Sequence, residues 1–284
     1  MSKLDTQPYK GVRDFYPEDQ RVENYIFNTW RKVAKEFKFE EYSASPLEPK
    51  ELYTNKTSEE IVNEQMFTFT DRGDREVALR PEMTPTLARM VAGRRKSLKF
   101  PLRWFSIPNV FRYERPQRGR KREHYQLNCD LLGVSDVSAE VEILSLAHAI
   151  MKAFGARDED FLIKINDRKA LPQDKELLRK VDKGEEKINI EQTKDVEEVL
   201  SRVNFKNIVF DPNIVRGFDY YTGIVFEIFD TNTENSRSLF GGGRYDNLLE
   251  IFDVEPVPAV GFGMGDITIR DFLETHGLLK DIDA

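Results

Sequence analysis

The stretch that decides the fold is Leu102-Arg-Trp-Phe-Ser-Ile-Pro-Asn-Val-Phe-Arg-Tyr-Glu-Arg-Pro-Gln-Arg-Gly-Arg-Lys-Arg-Glu-His-Tyr-Gln-Leu-Asn-Cys-Asp-Leu-Leu-Gly133. Its two ends alternate apolar and polar residues as strands do: Arg103 to Ile107 leads into Val110-Phe111-Arg112, and Tyr125-Gln126-Leu127 into Asp130-Leu131-Leu132. Between them, Glu114 to Glu123 holds no apolar side chain beyond Pro116, and Pro116 and Gly119 break any continuous strand. Two antiparallel strands joined by a long, mobile, basic loop are expected. Arg112, Arg115, Arg118, Arg120, Lys121 and Arg122 place six cations within eleven residues. Guanidinium groups at that density suit a polyanion, because arginine meets phosphate oxygens in a planar, two-pronged geometry. The competing reading is a solvated charged hairpin tip.

Outward from this hairpin, helical spacing marks residues 18–38 through Val22, Tyr25, Ile26, Trp30, Val33 and Phe37. Phe39 to Leu47 reads as a strand stopping at Pro46, and 65–70 with 76–80 as a hairpin. Pro81 opens a helix carrying Thr84, Leu87, Met90 and Val91 on one side. A capped helix runs from Ser138 to about Phe154, and Phe161–Ile165 is a strand. Pro172 to about Val203 is charged, helical and poor in apolar residues, as an appendage or short insertion would be. Strands resume at Ile208–Phe210, at Gly217–Phe229 with a bend near Gly223, and at Ala259–Gly265, before a helix from Ile267 to His276. Leu239 to Asp246 reads as a tight glycine turn. Strands rarely alternate one-for-one with helices, so the fold class is α+β, a mostly antiparallel sheet flanked by helices.

The 284 residues carry a formal charge of −7, so any contact with nucleic acid must come from local patches. One cysteine, Cys129, excludes a disulfide framework and a multi-cysteine metal site. The three histidines, His124, His148 and His276, have no metal-ligand spacing, and no metal site is expected in the protein itself. The first residues lack an apolar signal core and no apolar run approaches ~18 residues, so a cytoplasmic protein without membrane contact follows by default. Gly241-Gly-Gly243 and Gly261-x-Gly-x-Gly265 fit neither usual phosphate-binding glycine motif. Small residues at 261–265 let a flat ligand, or another backbone, lie against the strand. Arg80-Pro-Glu-Met-Thr84 and Arg216-Gly-Phe-Asp-Tyr-Tyr221 add carboxylates, a guanidinium and phenols. With the hairpin they describe a pocket with cations for phosphate, carboxylates for an amine and phenols for a polar ring.

These motifs resemble the catalytic domain of class II aminoacyl-tRNA synthetases, and specifically histidyl-tRNA synthetases, from Gly11 to about Leu279. Gly11-Val-Arg-Asp-Phe15 is similar to the family's N-terminal motif. Pro46 resembles the proline of class motif 1, and Phe111 to Arg120 resembles motif 2. Val215-Arg-Gly-Phe-Asp-Tyr-Tyr221 and Phe240-Gly-Gly-Gly-Arg-Tyr-Asp246 resemble the two histidine-specific motifs. The resemblance implies the class II catalytic fold and activation of histidine by ATP with Mg²⁺, then transfer to tRNA(His). It implies a homodimer through the motif 1 region near Pro46. It assigns Arg112 and Arg216 to the α-phosphate as the catalytic pair, Arg216 also touching the substrate carboxylate. Glu114 would meet the adenine, Arg120 the outer phosphates, and His124 would stack where relatives carry Phe. Glu82, Thr84 and Gln126 would take the histidine amino group. Asp130 and Tyr221 would read the imidazole, and Tyr220 and Tyr245 would line its pocket.

The resemblance also has gaps. Motif 3 usually ends in Gly-x-Gly-x-Glu-Arg, whereas Gly263-Met-Gly265 is followed by Asp266-Ile-Thr268. Arg270 keeps the right parity on a continuing strand but is rotated ~200° once a helix has begun. The segment at about 166–206 is short for the family's insertion domain. Residues 1–284 are read as one catalytic core, with the anticodon-binding domain absent from this chain. A second reading stays open: non-catalytic, histidine-sensing regulatory subunits of ATP phosphoribosyltransferase share this fold.

Overall fold

A computed structural model describes residues 4–54, 61–217, 220–235 and 237–279. In chain order, helix α1 (Pro17–Glu36) precedes strands β1 (Glu40–Glu41) and β2 (Leu47–Pro49), the single turn α2 (Glu51–Thr54), β3 (Thr68–Thr70), β4 (Glu76–Leu79) and α3 (Thr84–Arg94). Then come β5 (Leu102–Ser106), β6 (Asn109–Phe111), β7 (Glu123–Leu132), α4 (Ser138–Ala153) and β8 (Phe161–Asp167). The chain continues through α5 (Lys175–Asp182), α6 (Lys194–Arg202), β9 (Ile208–Phe210), β10 (Ile224–Asp230), β11 (Ser238–Arg244), β12 (Ala259–Gly265) and α7 (Asp266–Thr275).

The main sheet runs β1-β5-β7-β12-β11-β10-β8-β9, with β6 added to the far half of β7. Its pairs are antiparallel except β1 with β5 and β8 with β9 at the two edges. Strand periodicity sorts β7 between two environments. Leu127, Cys129 and Leu131 enter the core with α4, whereas Gln126, Asn128 and Asp130 face the pocket. The core face is covered by α1, α4, α6 and α7 around the fully buried Trp30, Phe105, Phe226 and Phe272. Truncating Trp30 to alanine would cost roughly 3–5 kcal/mol. On the other face, Leu87, Ala88 and Val91 of α3 pack with Tyr220, Tyr245 and Leu248. A small second sheet, β2-β4-β3, stands beside α3.

Several local expectations are revised. The strand through Phe39–Leu47 is broken into β1 and β2, which join different sheets. Helix α3 starts at Thr84 with Pro85 in its first turn, not at Pro81. Helix α4 starts at Ser138 as expected, but its N-cap is Val137 with no side-chain cap; Asp136 Oδ1 accepts from the Ser138 N–H at 2.9 Å just before it. The long strand from Gly217 reduces to β10, beginning at Ile224. Most instructively, Gly241–Gly243 is no turn but the middle of β11. A side chain on Gly242 would lie 2.0 Å from the Gly261 carbonyl oxygen, so neighbouring backbone excludes anything larger. The charged segment is also more than an appendage: Val196 and Val199 of α6 are fully buried in the main core.

Candidate active site

The expected convergence occurs. Arg112 at the end of β6 and Arg216 before β10 line one cavity of about 290 Å³, together with Glu82, Thr84, Gln126, Asp130, Tyr220, Tyr221 and Tyr245. Its floor is glycine: β12 pairs Gly261, Gly263 and Gly265 with Asp130, Asn128 and Gln126 of β7. A Cβ on Gly261 would come within 2.1 Å of the Asp130 carboxylate. The bare strands therefore leave room for polar side chains and ligand alike.

At the deep end Asp130 is 3% exposed and accepts a hydrogen bond from the Tyr245 hydroxyl. Burial pushes its carboxyl up to about 7, against the smaller opposing effect of that bond. Glu82, also 3% exposed, accepts from the Tyr220 hydroxyl at 3.0 Å. The Tyr220 ring lies 4.8 Å from Tyr221 and 5.7 Å from Tyr245. Buried carboxylates, phenols and the Gln126 amide thus surround a volume suited to a polar, amine-bearing ring.

Arg216 is held by more than its own motif. Its backbone sits in the left-handed region at φ 55°, a conformation that costs a non-glycine residue about 1–3 kcal/mol. The Arg168 guanidinium clamps that turn, donating to the Val215 and Arg216 carbonyls at 2.9 and 2.8 Å. Its own guanidinium donates to Glu227 on β10 at 2.7 Å. A side chain on Gly241 would stand 3.0 Å from Arg216 Nη1, so the triple glycine also makes space for this arginine. Asp219, the carboxylate of the same motif, lies outside the described residues. Arg112 donates to the Pro81 carbonyl at 2.8 Å, which fixes its direction into the cavity.

The basic loop is not uniformly solvated. Arg122 is 8% exposed, donates to the Tyr9 hydroxyl at 3.0 Å and stacks 3.7 Å over the Tyr113 ring. It anchors the loop to the N-terminal segment rather than facing phosphate. Gly11 accepts from the Arg122 N–H, and Arg13 reaches Asp266 at 2.5 Å. The N-terminal motif thereby ties the loop to the start of α7. Arg120 pairs with Glu114 at 3.2 Å, and both line the cavity with Lys121. His124 lies beside Gly265, its pKa lowered to about 3 by burial, then by Arg112 and Arg13, so its ring is neutral. The other histidines are structural: His148 stacks on Phe205 at 4.2 Å, and His276 bonds Asp230 at 2.8 Å.

The question raised by motif 3 is settled for Arg270. The helix begins at Asp266, and Arg270 turns to Glu274 and to Asp19 of α1, outside the cavity. Thr268 donates to the Leu239 and Gly265 carbonyls at 2.6 and 3.2 Å, pinning α7 to β11. Sequence reasoning missed Glu227, Arg168 and Asn128. Glu227 lies on an expected strand, but only the register opposite Gly241 gives it a partner.

A family model described as histidyl-tRNA synthetase matches residues 11–165 and 159–266. The chain belongs to the histidyl-tRNA synthetase family. Membership makes it a class II aminoacyl-tRNA synthetase, a ligase of protein biosynthesis from an ATP-dependent family. The histidine–tRNA ligase of Leptospira biflexa is 43% identical, over 98% of this chain and 76% of its own. That alignment runs over 334 positions against 284 residues here, so the relative carries at least 50 positions that this chain lacks. Apo histidyl-tRNA synthetase of S. aureus superposes with a TM-score of 0.75 at 26% identity, covering 98% of this chain and 71% of that one. An ATP phosphoribosyltransferase regulatory subunit/histidyl-tRNA synthetase from Bacillus halodurans superposes with a TM-score of 0.76 at 23% identity, over 95% and 84%. At that identity the likeness speaks for the fold alone. Among the described residues no helix is long and apolar enough to cross a membrane.

Proposed function

We propose that this cavity joins histidine to ATP as histidyl-adenylate, with Arg112 and Arg216 as the catalytic pair, before transfer to tRNA(His). The observation that carries the reading is the meeting of these two guanidinium groups, more than a hundred residues apart in sequence, at one cavity whose deep end is acidic and phenolic. The histidine carboxylate is ionised at neutral pH and needs no general base. The barrier is the meeting of two anions in line, so positioning and charge neutralisation at the α-phosphorus supply the catalysis.

In this reading Glu82, Thr84 and Gln126 take the α-amino group, and Asp130 and Tyr221 read the ring nitrogens. Tyr220 and Tyr245 hold Glu82 and Asp130 in place and close the pocket. Arg120 leaves Glu114 for the outer phosphates, while Glu114 meets the adenine and neutral His124 lies against it. Mg²⁺ would enter with ATP and neutralise phosphate charge. It keeps most of its waters and needs only one or two protein carboxylates beyond phosphate. Asp271, half-buried in the groove that adjoins the cavity and with no hydrogen bond or ion pair to its carboxylate among the described residues, would be the carboxylate to hold it. A homodimer through the region of Pro46 is part of the proposal, favoured by Leu47 and Phe69 standing 42% and 50% exposed on the small sheet. The domain reading is one catalytic core with a short insertion at about 166–206.

The test is ATP–pyrophosphate exchange by the wild-type chain with each amino acid in turn. Exchange with histidine alone is expected. No exchange, with histidine still bound, would instead select a histidine-sensing regulatory role.

A further inference from the structure

Thr268 leaves the outer phosphates short of one cation, since its hydroxyl is committed to the Leu239 and Gly265 carbonyls. Arg270 is committed to Asp19 and Glu274. Arg120 and Arg216 each already face a carboxylate, Glu114 and Glu227. Immediately beyond Thr268 the cavity opens into a second groove, sharing Gly119, Leu239 and Thr268 as its boundary. Arg237 projects into that groove from the turn entering β11, two residues before Leu239. It is exposed and makes no hydrogen bond or ion pair with any described residue. The tip of the basic loop closes over it: a side chain on Gly119 would stand 3.9 Å from Thr268 Cγ2 and 4.0 Å from Arg237 Cδ. Partial burial lowers the Arg237 pKa, Arg120 lowers it further and Glu114 opposes, which puts the guanidinium within the electrostatic reach of both. The groove also holds Arg118, which donates to Thr275, and the carboxylates of Glu234 and Asp271, but neither carboxylate pairs with Arg237. A guanidinium beside a second one, with no hydrogen-bonded counter-ion, is a geometry that suits an anion.

We propose that Arg237 grips the outer phosphates of ATP and the departing pyrophosphate, supplying from β11 the guanidinium that position 268 of α7 lacks. The inference rests on the ATP reading above. In that step a histidine carboxylate oxygen bonds to the α-phosphorus while the bond from that phosphorus to the bridging oxygen breaks. The electron pair leaves on pyrophosphate, so charge gathers where Arg237 stands. A planar two-pronged donor suits that leaving group better than a point charge.

Arg237→Ala and Arg237→Lys test it through histidine-dependent exchange, pyrophosphate product inhibition and calorimetric binding of ATP and pyrophosphate. Arg237→Ala should weaken both ATP and pyrophosphate about tenfold or more, as loss of a charge-assisted hydrogen-bonding partner does. The KM for histidine and the melting temperature should stay put, since the side chain has no structural partner. Arg237→Lys should recover only part of the loss. Unchanged ATP and pyrophosphate binding in Arg237→Ala, beside a wild type that exchanges, removes this assignment alone. A loss shared equally by histidine also removes it, because a general disturbance of the site would then explain the effect. A wild-type chain that binds neither ATP nor pyrophosphate removes the functional reading and this one with it.

Discussion

The two ends of the cavity are built on opposite principles. At the deep end, proposed for the amino acid, Asp130, Glu82, Tyr220 and Tyr245 are buried, and they form two hydrogen-bonded pairs, Tyr220 donating to Glu82 and Tyr245 to Asp130. At the outer end, proposed for the phosphates, Lys121 and Arg237 make no hydrogen bond or ion pair with a described residue, and Arg120 has one exposed ion pair. Selectivity needs preorganised groups that suffer when the wrong ligand leaves them unpaired, and burial supplies that penalty. Grip on a flexible triphosphate needs charge at roughly the right place, and several loops can supply it. The deep end should therefore tolerate no substitution, whereas the phosphate end can move its arginine from one element to another.

That contrast can be broken from either side. Within this contrast the largest effect is expected at Asp130→Asn, which keeps the shape but loses the carboxylate proposed to read the ring. Histidine kcat/KM should fall about a hundredfold, within the range for a buried charged hydrogen bond. A loss under threefold in exchange kinetics would show that Asp130 does not touch the substrate. Next, Glu227→Gln should cut kcat for exchange about tenfold with the histidine KM nearly unchanged, because it loosens the aim of Arg216. Equal changes in kcat and KM would reduce Glu227 to a packing role.

A pH experiment sharpens the account of burial. The Asp130 carboxyl sits at about 7 in the folded chain, above the ordinary value of 3.8. The native state then holds a proton that the unfolded chain has released between those values, so stability falls as pH rises through that window, by at most about 1.4 kcal/mol per pH unit. Glu23, also raised to about 7 by burial and then by Asp266, contributes with the same sign. Urea unfolding at pH 5 and pH 8 should therefore show a smaller drop for Asp130→Asn than for wild type; equal drops would contradict the assignment. The smallest effect belongs to Thr268→Val, which should cost about 1 kcal/mol of stability by orphaning the Leu239 carbonyl. Its KM for ATP should change less than twofold. A larger change would give Thr268 a direct place at the phosphates.

Much of this contrast was legible in the chain itself. The hairpin around Arg112 and the α+β class follow from alternation and turn residues alone, because strand period and loop chemistry are local. The deep pocket was legible mainly through the resemblance of Gly-Gly-Gly-Arg-Tyr-Asp and Arg-Gly-Phe-Asp-Tyr-Tyr to the family's motifs, since the residues alone read the first of these as a turn. What escaped depends on register. Three consecutive glycines look like a turn locally, and only the crowding by Phe226 and Gly261 carbonyls shows why they sit mid-strand. Glu227 has no distinguishing neighbours in sequence, and Arg237 lies in an ordinary polar turn. Arg122 counts as a phosphate ligand by composition, yet Tyr9 and Tyr113 claim it through contacts more than a hundred residues apart or across the loop.

The most direct trial of the paired guanidinium groups is Arg216→Ala, assayed by histidine-dependent exchange alongside calorimetric binding of histidine. The chemical step should fall a hundredfold or more, about 2.7–4 kcal/mol in the barrier, with histidine affinity within about fivefold of wild type. Exchange at the wild-type rate would mean that the α-phosphate is stabilised elsewhere.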